Sequence, residues 1–204
     1  ESRGLGDVYK RQMYDPIISL SACAATTKRI VLGTGVCLLT ERDPIITAKA
    51  IATLDHLSKG RVLFGVAGGW IKEAMENHGS CLLYRWSIVE EHVELIRKLW
   101  VNDEISHEGR YFKLRGPIKQ YPKPYQKKGP PILIGSNHKS VTEKVVRYAN
   151  GWMPIYNRYE RESHPLYDLK YECKKQNKNY QIFHQVNISM DSKLKLKKKD
   201  YQMV

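Results

Sequence analysis

Gly33 to Thr40, Gly65 to Gly69 and Gly135 to Lys139 each place glycine or small polar residues just past an apolar run. Such stretches can hold a flat or anionic ligand, because glycine lets the backbone approach closely and amide N–H groups at a following helix start attract anions. Gly65-Val-Ala-Gly-Gly69 therefore reads either as an anion cradle or as a set of tight turns. Gly135-Ser136-Asn137 leads into a helix expected to open near His138 or Lys139, so a hydroxyl, an amide and a helix N-terminus converge there. Phosphate binding and ordinary helix capping both fit that arrangement. His138 by itself suits a surface or capping role better than a catalytic one. The Gly-x-Gly-x-x-Gly dinucleotide spacing is missing: Leu38 stands where Gly33-Thr-Gly35 would need its third glycine.

The elements that must position these joints can be read from punctuation and periodicity. Asp15-Pro16 before Ile17, Leu20 and Ala24, and Asp43-Pro44 before Ala48, Ile51 and Leu54, each predict a helix with Asp as N-cap and Pro at its first position. Arg29 to Val36 and Arg61 to Val66 are β-branched apolar runs, the pattern of buried parallel strands. Helix and strand alternating in units of about thirty residues predict repeated βαβ crossovers and an α/β fold. A long amphipathic helix is expected from about Tyr84 to Trp100, with Ile88, His92, Leu95, Ile96 and Leu99 facing the sheet. From Asn102 to Gly129 the chain turns to Gly, Pro, Tyr and charge, which predicts a loop or short hairpin outside the βα rhythm. The rhythm resumes with a strand at Pro131 to Gly135, a helix near Lys139 to Tyr148 and a strand at Gly151 to Pro154, then another helix and strand toward Met190. The three glycine joints then fall at the carboxyl ends of strands, where α/β folds build their sites.

Composition removes several classes. The 204 residues, 42% of them hydrophobic and 10% aromatic, suffice for one folded domain. Apolar runs such as Ile30 to Leu39 fall short of the ~20 residues of a membrane helix, and Glu1 to Gln12 lacks the apolar core of a secretory signal. A cytoplasmic setting without membrane attachment is expected. Cys23, Cys37, Cys81 and Cys173 are far apart without a Cys-x-x-Cys pair, so buried reduced thiols are expected. His107-Glu108 has no second His at the required spacing, and Glu90-Glu91-His92 has no further ligands, so no metal is expected. The net charge of +13 suggests nucleic acid. Much of the excess, however, sits in Lys174-Lys175, Lys178 and the run from Lys193 to Lys199, with no nucleic-acid motif beside it, which favours a solvated tail.

In order, the pieces resemble the bacterial luciferase-like monooxygenase family. The resemblance is carried by Thr27-Lys-Arg-Ile-Val-Leu-Gly-Thr-Gly-Val36, Arg42-Asp-Pro44, Ala52-Thr-Leu-Asp-His-Leu-Ser-Lys-Gly-Arg61 and Gly65-Val-Ala-Gly-Gly-Trp70. It continues through Ser106-His-Glu-Gly-Arg-Tyr-Phe112, Pro122-Lys-Pro124, Gly129-Pro-Pro-Ile-Leu-Ile-Gly135 and Ala149-Asn-Gly-Trp-Met-Pro154. It implies a (β/α)8 TIM barrel with FMN or the deazaflavin F420 across the carboxyl ends of the strands. The implied reactions are hydride transfer or, with reduced flavin, monooxygenation of a small organic substrate. The F420-dependent branch is resembled most. Carried over by position, Gly35 and Val36 match a non-prolyl cis peptide behind the ring, Ala67, Gly68 and Gly69 match backbone beside the ring and ribityl chain, and Gly135 and Ser136 match the loop that holds the cofactor phosphate. No catalytic side chain is assigned, since in relatives these often come from strands upstream. A homodimer is among the states the resemblance implies.

The ends depart from the family pattern. Residues 1–12 match no expected strand and read as a non-family head, 13–190 as a partial barrel lacking its first strands and closing element, and 191–204 as a Lys-rich tail. On this reading the polypeptide is a fragment cut at both ends, and a catalytically inactive fragment or a cofactor-free interaction domain is the alternative to an oxidoreductase.

Overall fold

The computed structural model describes residues 14–138, 140–154, 165–179 and 181–182; the head, Lys139, the stretch from 183 to Met190 and the Lys-rich tail lie outside them. Both Asp-Pro pairs start helices. In α1 (Pro16–Thr26), Asp15 accepts hydrogen bonds from the amides of Ile17 and Ile18 at 2.9 and 3.0 Å. In α2 (Pro44–Ser58), Asp43 accepts from Ile46 at 2.8 Å. These side chains satisfy amides that have no partner within a helix. Arg42 joins the two caps by an ion pair with Asp15.

The run from Arg29 to Val36 does not form one continuous strand. It yields β1 (Leu32–Gly33), and after a break comes β2 (Cys37–Leu38). Both pair in parallel with β3 (Val62–Ala67), Leu32 opposite Val62 and Cys37 opposite Val66. At the break the Thr34 hydroxyl donates to the Gly65 carbonyl at 2.7 Å, a side-chain bond within the ladder's path. The start is late because the Arg61 guanidinium gathers the carbonyls of Ala24, Thr27 and Ile30 and holds that turn off the sheet. Ile30 and Val31 are accordingly exposed.

After β3 come the short helix α3 (Lys72–Asn77), which sequence reading does not anticipate, and α4 (Arg85–Val101), which it does. Ile88, His92, Leu95, Ile96 and Leu99 are all buried. The rhythm continues with β4 (Ile132–Ile134), α5 (Val141–Tyr148), β5 (Gly151–Trp152), α6 (Pro165–Lys175) and β6 (Gln181–Ile182). Among the described residues the strands pair in parallel, in the order β1-β3-β4-β5-β6 with β2 also on β3. The result is a sector of a parallel βα barrel. Val62, Phe64, Val66, Ile132, Ile134 and Trp152 join one core with the helices, while the alternate residues Leu63, Gly65 and Leu133 lie on the other face.

The excursion from Asn102 to Gly129 carries two antiparallel bridges, Ile105 with Ile118 and Glu108 with Lys113, as a short hairpin would. Two helix carboxylates fasten it. Asp55 of α2 is fully buried and accepts from the amide and side chain of Gln126 at 2.8 and 2.9 Å. Glu91 of α4 accepts from the amides of Arg110, Tyr111 and Phe112 at 3.0, 3.1 and 2.8 Å and from His107 Nε2 at 3.3 Å. A Cβ on Gly109 would fall 1.9 Å from the Glu91 carboxylate, so this turn requires glycine.

The thiols correct one expectation. Cys37 and Cys173 are buried, but Cys23 and Cys81 are exposed, on α1 and in the turn after α3; all four are free. Burial raises the Cys37 thiol to about 11. Among the described residues no helix is long and apolar enough to cross a membrane, and none gather into a cluster of three or more metal-ligating side chains.

Candidate functional site

The glycine joints meet at the carboxyl ends of β1 to β5. Gly35-Val36 follows β1 and its peptide bond is cis. Gly135 follows β4 and donates to the Val66 carbonyl of β3 at 2.8 Å, and a Cβ on Gly135 would lie 2.4 Å from Val36 Cγ1. Val36 and Gly135 are therefore neighbours across the sheet although 99 positions apart in the chain. Gly35 is exposed, Val36, Gly69, Gly135 and Ser136 are half-buried, and Ala67 and Gly68 are buried. Of the seven residues, those of the first and third joints touch directly, and Ala67 to Gly69 run alongside at the end of β3.

The second joint is held by side chains that sequence reading passes over. Thr40, in the short 3-10 turn Leu39–Glu41, donates to the Gly68 carbonyl at 3.1 Å, and Ser80 donates to the Thr40 carbonyl at 2.6 Å. Gly69 has φ +70, a left-handed conformation that favours glycine. A Cβ on Gly68 would meet the stem of Arg85, at the start of α4, 3.2 Å away. A Cβ on Gly65 would lie 2.1 Å from the Thr34 carbonyl and 3.2 Å from Met153, whose backbone continues β5. The protein's own contacts thus account for glycine at 65, 68 and 135. Thr34, Thr40, Arg85 and Met153 could have been sought as polar or flexible residues within a few positions of each joint, but their partners are separated in sequence.

The third joint opens its helix later than expected. Ser136 Oγ accepts from the His138 amide at 3.2 Å and His138 Nδ1 accepts from the Ser140 amide at 3.2 Å, so two side-chain turns precede α5. His138 is spent on that turn, in line with a capping role. The Trp152 indole donates to the Ser136 carbonyl at 2.6 Å and ties the loop to β5. Ser136 Oγ is left with its own proton to donate.

A cavity of about 390 Å³ adjoins the second joint on its helix side, lined by residues including Thr40, Arg42, His78, Ser80, Tyr111 and Phe112. None of the seven predicted residues lines it. Beneath it His92 is fully buried against Phe112, ring centroids 5.2 Å apart, with no hydrogen bond on either nitrogen. Burial lowers its pKa to about 4, against a weaker upward pull from Asp43 and the Leu39 carbonyl.

A parallel βα sector with glycine joints at the carboxyl ends of its strands is the architecture of a TIM barrel. The particular family is settled by comparison: the luciferase-like monooxygenase profile matches residues 3–175, and the chain belongs to that family. The match reaches upstream of Met13, into the stretch expected to be a foreign head. An uncharacterised protein of Mycobacterium tuberculosis is 42% identical over 151 residues, 72% of this chain and 51% of the relative, so the chain spans about half the relative's length. Among solved structures, the monooxygenase RslO1 of Streptomyces bottropensis superposes with a TM-score of 0.76 at 25% identity, covering 83% of this chain and 53% of that one. An F420-dependent secondary alcohol dehydrogenase bound to an F420-acetone adduct shares the fold, with a TM-score of 0.74 at 19% identity over 86% of this chain and 55% of that one.

Proposed function

We propose that the parent enzyme is an oxidoreductase that binds F420 or reduced FMN across Gly35, Val36, Ala67, Gly68, Gly69, Gly135 and Ser136, and uses it on a small organic substrate. The observation that carries this reading is the contact between the first and third joints: Val36 and Gly135 abut beyond the carboxyl ends of β1 and β4, which flank β3. The strip of exposed Gly35 and half-buried Val36 and Gly135 offers peptide edges and one apolar side chain to a flat ring. Ser136 can give its free hydroxyl proton to a phosphate oxygen while its carbonyl is fixed by Trp152. When bound, the cofactor supplies hydride transfer or oxygen activation, and the protein orients the reactants and excludes water. The likeness to an F420-dependent dehydrogenase supports the F420 form, and the family membership and the likeness to the monooxygenase RslO1 support monooxygenation. A cytoplasmic homodimer without nucleic-acid binding completes the reading, with 13–190 as the barrel portion.

Separate titrations with F420 and FMN, followed by fluorescence quenching, test it. Preferential F420 binding, weakened about tenfold or more by Ser136→Asp, is the expected result, since the new carboxylate repels the phosphate. Preferential FMN binding would select the monooxygenase chemistry. A cooperatively folded protein that binds neither would overturn the proposal.

A further inference from the structure

The amino-terminal ends of the same strands carry a second cavity, of about 470 Å³, between α4, α5 and the start of β6. It does not involve the carboxyl-end joints. Arg97, Tyr148, Asn150 and Lys178 line it, together with Glu90, Glu94 and Arg147. The carboxylates are already engaged: Glu94 pairs with Lys98 at 2.6 Å, and Glu90 pairs with Arg147, which also holds Glu143. Arg97 has no carboxylate partner among the described residues. Its Nη2 donates to Asn150 Oδ1 at 2.7 Å and to the Tyr148 carbonyl at 3.4 Å, which leaves its Nε and Nη1 protons unspent. Lys178 is half-buried and donates only to carbonyls, those of Val145 and Val146 at the end of α5. The Tyr148 hydroxyl is buried without any hydrogen-bond partner.

Arg97 and Lys178 share this cavity, and neither has a carboxylate partner among the described residues. Burial lowers the pKa of Arg97, and burial lowers that of Lys178, with nearby Cys173 pulling it up and the Arg97 charge pulling it down. The guanidinium and the ammonium along one cavity are both charged donors, and a phosphate, with more oxygens and more negative charge than a carboxylate, matches the pair better.

We propose that this cavity is a phosphate subsite, in which Arg97 and Lys178 bind inorganic phosphate or the phosphate group of a small monoester. Asn150 sets the charge of the site. Its side-chain oxygen accepts from both Arg97 and the Ile132 amide, at 2.7 and 3.0 Å, and a carboxylate there would accept the same two bonds while neutralising the guanidinium.

The test is thermal melting of the whole chain titrated with inorganic phosphate, glycerol 3-phosphate or acetate, each at constant ionic strength maintained with sodium chloride. A saturable rise in Tm with phosphate, larger than with acetate, is expected. Asn150→Asp and Lys178→Met should each weaken phosphate about tenfold or more, the scale of a lost charge-assisted hydrogen bond. Ser136→Ala should leave the affinity within about twofold, because Ser136 lies on the opposite rim. Asn150→Asp keeps both acceptor bonds, so it should fold even where a variant of Arg97 does not. Tighter binding of glycerol 3-phosphate would identify a monoester, and equal or weaker binding would identify free phosphate. The proposal is overturned by a phosphate response no larger than that to chloride or acetate, by an unchanged response in Asn150→Asp, or by a response lost in Ser136→Ala.

Discussion

The joints at the carboxyl ends of the strands and the excursion from Asn102 to Gly129 are both irregular backbone, yet they are fixed by different forces. At the joints shape decides: Gly65 sits under the Thr34 carbonyl, Gly135 against Val36, and Gly68 against the Arg85 stem. In the excursion charge decides, because Asp55 and Glu91 collect amide donors from Gln126 and from residues 110–112. Steric fit does not depend on pH, whereas a carboxylate held by amides loses its grip once protonated. Acid should therefore loosen the Glu91 grip on residues 110–112 while the joints keep their form.

The largest effect expected is at the joints. Gly65→Ala would press a methyl onto a backbone oxygen that cannot retreat, and should cost more than about 3 kcal/mol or prevent folding. Denaturant melts give this value, and a loss below about 1 kcal/mol would mean that the joint yields easily.

Next is the buried His92, whose pKa near 4 lies below the ordinary 6.5. Above pH 6.5 the imidazole is neutral in both the folded and unfolded chain. Below it the unfolded chain binds a proton that the fold refuses, so stability should fall by roughly 3 kcal/mol in total by about pH 4. In His92→Leu this part of the acid limb should flatten, and an unchanged slope between pH 6.5 and 4 would assign the loss to other groups.

Glu91→Gln comes third. Burial pushes the Glu91 carboxyl up, but the amides of Phe112, Tyr111 and Arg110 and the His107 ring outweigh it, so its pKa lies below 4.5. The stability it contributes is full above 4.5 and is lost as pH falls through the lowered value, after the His92 step has begun. The glutamine amide would also face backbone N–H groups with donors of its own, at a cost of about 2 kcal/mol. Amide hydrogen exchange should show the loss at residues 110–112, with β3 unaffected; a uniform loss would erase the contrast between the two regions.

The smallest effect belongs to Gly33→Ala. Its methyl would rest 3.5 Å from the Leu63 carbonyl, an ordinary contact, and the change should stay within about 1 kcal/mol. A large cost there would mean that the whole inner face is as tight as Gly65.

What the sequence discloses follows the same division. Asp-Pro pairs, apolar runs and the stripe on α4 are local signals, and the helices and strands they predict are present. Even the pairing of Gly35-Val36 with a non-prolyl cis peptide, carried over from family resemblance, has its counterpart here. The interruption of the first strand at Thr34 was not legible, because the Thr34 hydroxyl finds its partner in a carbonyl 31 positions away. Nor were the roles of Asp55 and Glu91, which look like solvent-facing helix residues until the excursion folds over them. His92 was placed correctly on the buried stripe, but an apolar stripe says nothing of whether an imidazole finds a partner. The site divides likewise: its glycines stand out in sequence, whereas Thr40 and Trp152, which fix the loops from a distance, do not.

The two carboxylate anchors stand on different helices, Asp55 on α2 and Glu91 on α4, and grip the excursion at Gln126 and at residues 110–112. The backbone between the grips can change length without releasing either one. Around Gly116, where φ is +93 and nothing lies within 4 Å of a would-be Cβ, added residues meet only solvent. Since doubling a flexible loop adds only about 0.6 kcal/mol of closure entropy, this stretch can vary in length while the barrel sector beneath it stays the same.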